Sequence, residues 1–268
     1  MDCVVLVKQV PDPELRLSSL RIARDGKQIE FGEAAQVPSP YDENALEMAL
    51  QMKEKAGGKV AVISLGDKSV EKTLRKGLAL KADEAVLVGD NGIDPFNSYQ
   101  VAIGLHSGIQ TLDFSPELIL CGSQAADTDA GHIGPLVAEL LGWPCVSLVT
   151  DIQLIDHKLV VIRQEDDIES TWEVDLPAVV TVKSTPMNQI RYPKLKDVIM
   201  AQRLPVRRMD EMLAENTVKE RPETWGSKIS IAQLELLRTN RKCHLITANE
   251  AEKIAEEAVR ELDSMGLM

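Results

Sequence analysis

Leu118–Trp143 reads LILCGSQAADTDAGHIGPLVAELLGW. Leu118–Cys121 is a short unbroken apolar run of the kind that forms a strand buried on both faces. Ile133, Leu136, Val137 and Leu140 then recur at the spacing of one helical face. The passage between them, Gly122–Gly131, is small and polar, with two glycines, two aspartates and no bulky apolar side chain to bury. The order is therefore strand, loop, helix, with a loop that lets something approach its backbone. A helix entered at about Gly131 or His132 offers unpaired N–H groups and a partial positive charge, which suits an anion or a nucleotide. The same residues also fit a plain crossover in which Asp127 or Asp129 caps the helix and Pro135 is tolerated in its first turn. The run matches neither the dinucleotide GxGxxG nor the triphosphate GxxxxGK[ST] pattern.

The same pattern repeats on either side. Cys3–Val7, Val60–Leu65, Ala85–Val88, Cys145–Val149 and Leu176–Val182 are apolar runs that read as buried strands. Helical faces separate them. Ser39 is a candidate cap, Pro40 suits a first helical position, Asp42 is placed to reach back as in a capping box, and Ala45, Met48, Ala49 and Met52 draw one face. Val70, Leu74 and Leu78 mark a second helix, and Phe96–Leu112 a third with Tyr99, Ala102, Ile103, Leu105 and Ile109 inward. Strands alternating with helices in this way predict an α/β fold: an open, mostly parallel sheet with helices on both faces. Asp151–Ile155, Leu159–Arg163 and Thr171–Val174 alternate instead, which predicts a small antiparallel extension at the sheet edge. Arg24–Lys27 reads as the turn of a small hairpin insertion.

The domain boundary is expected at 183/184. From Ser184 to Thr247 the chain is polar, punctuated by Pro186, Pro193, Pro205 and Pro222, and too weakly periodic to bury a core of its own. Thr247–Glu250 reads as a capping box, and Ala251, Ile254, Ala255, Ala258 and Leu262 form a stripe that needs a partner surface.

With 268 residues and 44% hydrophobic residues the chain has ample material for a core. The net charge of -12 argues against a nucleic-acid partner, which needs clustered Lys and Arg. Cys3, Cys121, Cys145 and Cys243 contain no CxxC pair and are expected to be buried free thiols in a reducing cytoplasm. His106, His132, His157 and His244 lack metal-type spacing. No stretch resembles a leader or approaches membrane length, so the mature chain is expected to start at Met1 and to be cytoplasmic.

In an open parallel sheet, ligands bind beyond the carboxyl ends of the strands. The loops available there are Val7–Gln9, Ser64–Asp67 with Gly66, and Gly122–Gly131, joined by the helix start Ser39–Asp42. They offer amides, hydroxyls and carboxylates for ribose and phosphate, and no serine or cysteine has a histidine placed by a recognisable motif. Asp127 and Asp129 are candidates for ribose contact as well as for capping. Lys8 at a strand end is a candidate to meet a phosphate, although a solvated lysine is the commoner case.

Five stretches resemble the beta subunit of electron transfer flavoprotein, in that family's order. They are VLVKQVPD (Val5–Asp12), SPYDENALEMAL (Ser39–Leu50), CGSQAADTDAGHIGPLVAELLGWP (Cys121–Pro144), DLPAVVTV (Asp175–Val182) and NQIRYPKLKDVIMA (Asn188–Ala201). The resemblance implies an adenine nucleotide alpha-hydrolase-like fold and a heterodimer with a flavoprotein alpha subunit. It also implies electron traffic between dehydrogenases, such as the acyl-CoA dehydrogenase type, and a downstream acceptor. The redox chemistry would belong to a flavin, with no catalytic residue in this chain.

The family's nucleotide contacts fall here on Leu6, on Ser39, Pro40, Tyr41 and Asp42, on Leu65, and on Gly122, Ser123, Gln124, Ala125, Ala126, Asp127, Thr128, Asp129, Ala130, Gly131, His132 and Ile133. The nucleotide would be AMP in simple members, or a second FAD in members that bifurcate electrons from NADH. The wording PSPYDENALE (Pro38–Glu47) and GHIGPLVAELLG (Gly131–Gly142) is closer to prokaryotic members, so FAD is expected ahead of AMP. Asparagine is usual in the family where Ser39 stands, a basic residue where Ser123 stands, and glutamate where Gln164 stands. Arg163 would lie near the alpha-subunit flavin. Residues 1–183 would be the nucleotide-binding domain. Residues 184–268 would hold a dehydrogenase-docking loop, with Arg191, Tyr192 and the apolar anchor Leu195, and an arm whose terminal helix wraps the alpha subunit. The alternative is a stand-alone ATP- or AMP-binding regulatory module of the universal-stress-protein type, which leaves DLPAVVTV and RYPKL unexplained.

Overall fold

The computed structural model of the chain describes residues 1–14, 20–27, 29–30, 32, 34–90, 93, 96–156, 158–209, 231–236, 243 and 245–267. The strands are β1 (Cys3–Leu6), β2 (Gln9–Pro11), β3 (Arg21–Ile22), β4 (Ile29–Glu30), β5 (Gln36–Pro38), β6 (Val60–Gly66), β7 (Glu84–Gly89), β8 (Leu118–Gly122), β9 (Cys145–Ile155), β10 (Lys158–Glu165), β11 (Ile168–Val174), β12 (Ala178–Val182) and β13 (Arg207–Met209). The helices are α1 (Pro40–Ala56), α2 (Glu71–Ala79), α3 (Ser98–Ile109), α4 (Ile133–Leu141), α5 (Leu195–Ala201) and α6 (Ala251–Ser264).

Among the described residues the main sheet has nine strands in the order β11-β10-β9-β12-β8-β1-β6-β7-β13. From β9 to β13 every pairing is parallel, and β10 and β11 add an antiparallel hairpin at one edge. Side chains alternate between faces along a strand, so Cys3 and Val5 of β1 join one core with Leu46 and Leu50 of α1 and Leu74 and Leu78 of α2. Val4 and Leu6 join the other, with Leu105 and Ile109 of α3 and Val137 and Ala138 of α4. Because both faces are covered, the central strands carry unbroken apolar runs. Each fully buried Leu or Val there contributes roughly 1.5–3 kcal/mol.

Several local expectations change. Cys145–Val149 and Asp151–Ile155 form one strand, because a bulge lets β9 continue. Its register with β12 shifts between Val180 and Val182, Leu148 takes φ 60°, and the Leu148 N–H donates to the Thr181 hydroxyl at 3.2 Å. Ser39 is the N-cap of α1 without a side-chain bond, its Oγ buried and unpartnered, and the Asp42 carboxylate is used elsewhere. The Thr247–Glu250 box does not form either, since α6 begins at Ala251 with Glu250 as an N-cap that makes no side-chain bond. Cys3 and Cys121 are buried free thiols, whereas Cys145 and Cys243 are exposed.

The chain divides into two compact units, Met1–Leu20 with Phe31–Ser230, and Arg21–Glu30 with Ile231–Met268. The first unit therefore runs past residue 183. Ala201 of α5 and Met209 of β13 are buried in its cores, and β13 pairs with β7, so the stretch up to Met209 does contribute to a core. The expectation for residues 210–230, 237–242 and 244 lies outside the described residues. In the second unit β3 and β4 pair antiparallel beside the turn at Arg24–Lys27, as the sequence predicts. No residue of α6 is buried there, and Ile254, Val259 and Leu262 stand exposed. Among the described residues no helix is long and apolar enough to cross a membrane.

Candidate functional site

From β1 the chain builds outward through β6 and β7, then returns to place β8 on β1's other side. At such a reversal the two crossovers leave in opposite directions and a crevice opens beyond the strand ends. A cleft of about 810 Å³, its solvent-open part included, lies there. Leu6, Val7 and Lys8 come from the end of β1, Leu65 from β6, and Cys121 and Gly122 from the end of β8. Ser98, Val101 and Leu105 come from α3, Asp42 from α1, and Ile133 from the start of α4. Gln124, Ala125, Thr128, Ala130 and Gly131 line it from the loop after β8.

Asp42 joins the two sides of the reversal. One carboxylate oxygen accepts the Lys8 backbone N–H at 2.8 Å, and the other accepts the Gly122 N–H at 2.7 Å. The side chain is buried in the first turn of α1, and burial pushes its carboxyl up to about 7, against the pull of the two N–H bonds and the Lys8 charge. Gly122 permits this approach. A Cβ there would lie 2.5 Å from Tyr41 Cβ and 2.8 Å from the Asp42 Oδ1.

The loop after β8 folds on itself. The Asp129 N–H donates to Ala125 O at 2.8 Å, the Ala125 N–H to Ala130 O at 3.1 Å, and Asp129 takes φ 53°. The Gln124 amide donates to the Asp129 carboxylate at 2.9 Å and to the Tyr41 hydroxyl at 3.4 Å. Asp127 accepts from Lys8 Nζ at 2.7 Å, so Lys8 is paired across the cleft mouth instead of free in solvent. Neither aspartate caps α4, whose N-cap is His132 without a side-chain bond. The His132 ring Nδ1 instead meets the Ser98 hydroxyl at 3.2 Å.

Of the residues singled out in the sequence, Leu6, Lys8, Asp42, Leu65, Gly122, Gln124, Ala125, Thr128, Ala130, Gly131 and Ile133 meet around this cleft. Ser39, Pro40, Tyr41, Gly66, Ser123, Ala126, Asp127, Asp129 and His132 lie outside its lining. The sequence reading named Val7 within the Val7–Gln9 loop but missed Cys121 and the α3 residues Ser98 and Val101, and it placed Leu105 only in the core. The signal for α3 was its face at intervals of three and four residues, but periodicity does not say which helix flanks the mouth. Leu6, Val101, Leu105 and Ile133 give apolar walls suited to a flat ring, and the loop supplies small polar groups. Cys121 is no nucleophile here, since burial holds its thiol well above the ordinary range.

The remaining candidates lie elsewhere. Tyr192 is 95% exposed and Leu195 76% exposed, while the Arg191 guanidinium is bonded to Glu47 and Glu54 of α1. Arg163 Nη2 donates to Glu165 at 2.7 Å, and its buried Nε has no partner.

An open, mostly parallel α/β sheet with a cleft at its strand reversal defines the class. Residues 29–211 match the family model described as Electron transfer flavoprotein domain. The chain is 36% identical over 204 residues to the electron transfer flavoprotein subunit beta of Thermoanaerobacterium thermosaccharolyticum, covering 75% of each chain. It is 33% identical over 208 residues to the caffeyl-CoA reductase-Etf complex subunit CarD of Acetobacterium woodii, covering 77% of each. With protein FixA of Azotobacter vinelandii it shares 27% identity over 270 residues, covering 98% of this chain and 94% of that one. This chain belongs to the electron transfer flavoprotein family, on the side of its beta subunits. These matches do not favour the stand-alone regulatory module.

Proposed function

We propose that the chain is the beta subunit of a heterodimer with a flavoprotein alpha subunit, and that the cleft at the strand reversal holds an adenine nucleotide, FAD ahead of AMP. The observation that carries this reading is the Asp42 clasp, which ties the ends of β1 and β8 together beside a small-residue loop and an apolar-walled cleft in a member of this family. The lining residues fit such a group. Leu6, Val101, Leu105 and Ile133 would pack an adenine ring, and the Thr128 hydroxyl and Gln124 side-chain carbonyl would serve ribose hydroxyls. The loop backbone after Gly122 offers N–H groups to a phosphate. A flavin, when bound, supplies the redox chemistry. This chain's residues bind, orient and exclude water.

Electrons would pass from a flavin dehydrogenase, of which the acyl-CoA dehydrogenase type is one, to a downstream acceptor, with NADH-linked bifurcation where the cleft holds FAD. Residues 184–268 would serve partners. Tyr192 and Leu195 project where a dehydrogenase can dock, and the exposed stripe of α6 would be covered by the alpha subunit. Arg163 would stand near the alpha-subunit flavin.

The test is co-expression with a candidate alpha subunit, counting flavins per heterodimer and extracting AMP. Two flavins support FAD in this cleft, and one flavin with one AMP supports a simple carrier. A heterodimer whose beta cleft yields neither refutes the proposal.

A further inference from the structure

Asn44, Glu47, Gln51 and Glu54 recur at intervals of three, four and three along α1, which places them on one stripe beside the core face of Ala45, Met48, Ala49 and Met52. The whole stripe receives the segment after β12. The Asn44 amide donates to Asn188 O at 2.9 Å, while its carbonyl accepts from the Ser184 hydroxyl. The Gln51 amide donates to Met187 O at 3.2 Å. Glu47, only 4% exposed, accepts the Arg191 backbone N–H at 3.2 Å, Nε at 2.9 Å and Nη2 at 2.7 Å, and Glu54 takes Nη1. Past Arg191 the chain leaves the stripe, and Tyr192 and Leu195 project. It is fixed again in α5, where Asp197 accepts from Lys81 Nζ at 2.6 Å and Ala201 O accepts from Arg75 Nη1 at 2.7 Å.

We propose that Glu47, backed by Glu54, is a positioning residue for partner docking: through Arg191 it fixes the direction in which Tyr192 and Leu195 project. Arg191 thus belongs to the support of the docking loop, because its donors are already engaged and few are left for a partner. A loop held in one arrangement loses less freedom when a partner binds, so the rack lowers the cost of association. The inference rests on the reading that residues 191–195 meet a dehydrogenase.

The test uses the co-expressed heterodimer as wild type, Glu47→Gln, Glu54→Gln and Leu195→Ala, with an acyl-CoA dehydrogenase chosen because it reduces the wild type. Glu47→Gln is expected to raise KM for the dehydrogenase roughly tenfold, the size of effect when one charge-assisted partner is lost. Its kcat and nucleotide content stay unchanged, and trypsin cleaves faster after Lys194 and Lys196. Unchanged KM in Glu47→Gln beside raised KM in Leu195→Ala overturns the positioning role and leaves the docking reading intact. Unchanged KM in both overturns the docking reading, and the proposal with it. If Glu47→Gln does not assemble, Glu54→Gln decides the question, with an expected rise of about two- to threefold because that carboxylate lies at the surface.

Discussion

Asp42→Asn separates two forces that act on one buried carboxyl. Burial favours the neutral acid, while the N–H groups of Lys8 and Gly122 favour the carboxylate. Burial wins, raising the folded-state value from 3.8 to about 7. An acid whose folded value lies above its unfolded one binds more protons when folded between those values, so its contribution is present at low pH and is lost as pH rises through about 7. At about 1.36 kcal/mol per unit, the loss between pH 5 and pH 8 is roughly 2.5 kcal/mol, or about 5–10 °C in Tm for a chain of this size. Asparagine does not titrate. The assay is thermal and urea unfolding of wild-type and Asp42→Asn protein in the same assembly from pH 5 to pH 8, reading the difference between them. Every other titrating group is common to both proteins and cancels to first order. The stability advantage of wild type over Asp42→Asn should shrink by that amount as pH rises. Parallel curves, or an advantage that grows with pH, would refute the argument by showing that the two N–H donors outweigh burial.

Three further outcomes follow from the same geometry. Gly122→Ala puts a Cβ 2.5 Å from Tyr41 Cβ, so α1 must shift, with an expected loss of about 1–3 kcal/mol in urea unfolding and of nucleotide on gel filtration. Leu195→Ala removes a side chain that is 76% exposed, so Tm and nucleotide content should hold while reduction by a dehydrogenase weakens about tenfold or more in kcat/KM. The chain expressed without a partner should self-associate in light scattering, and Ile254→Asp with Leu262→Asp should relieve this while abolishing co-purification with an alpha subunit.

The fold class was legible because its signals are local. Apolar runs such as Val60–Leu65 and Leu118–Leu120 carry no alternation, which only a strand covered on both faces tolerates. Gly122–Gly131 was legible as an opening, since a loop without bulky apolar residues has nothing to bury. The bonds each polar side chain makes were less legible. Ser39 and Asp42 have the spacing of a capping box, yet Asp42 turns to two amides that lie 34 and 80 residues away in sequence. Asp127 looked like a cap and pairs with Lys8, 119 residues earlier. Asn44, Glu47, Gln51 and Glu54 have the look of a solvated helix face until the segment from Ser184 to Arg191 is laid across them.

Order along the chain determined which stretches become strands and helices, because hydrophobic period and helix start signals act over a few residues. Tertiary structure alone decided that β8 returns to the far side of β1, which puts Lys8 and Gly122 within reach of one carboxylate and turns α3 into a wall of the cleft. The physical reason is reach. A hydrogen bond needs its partners about 3 Å apart, and only the packed sheet brings such distant residues that close.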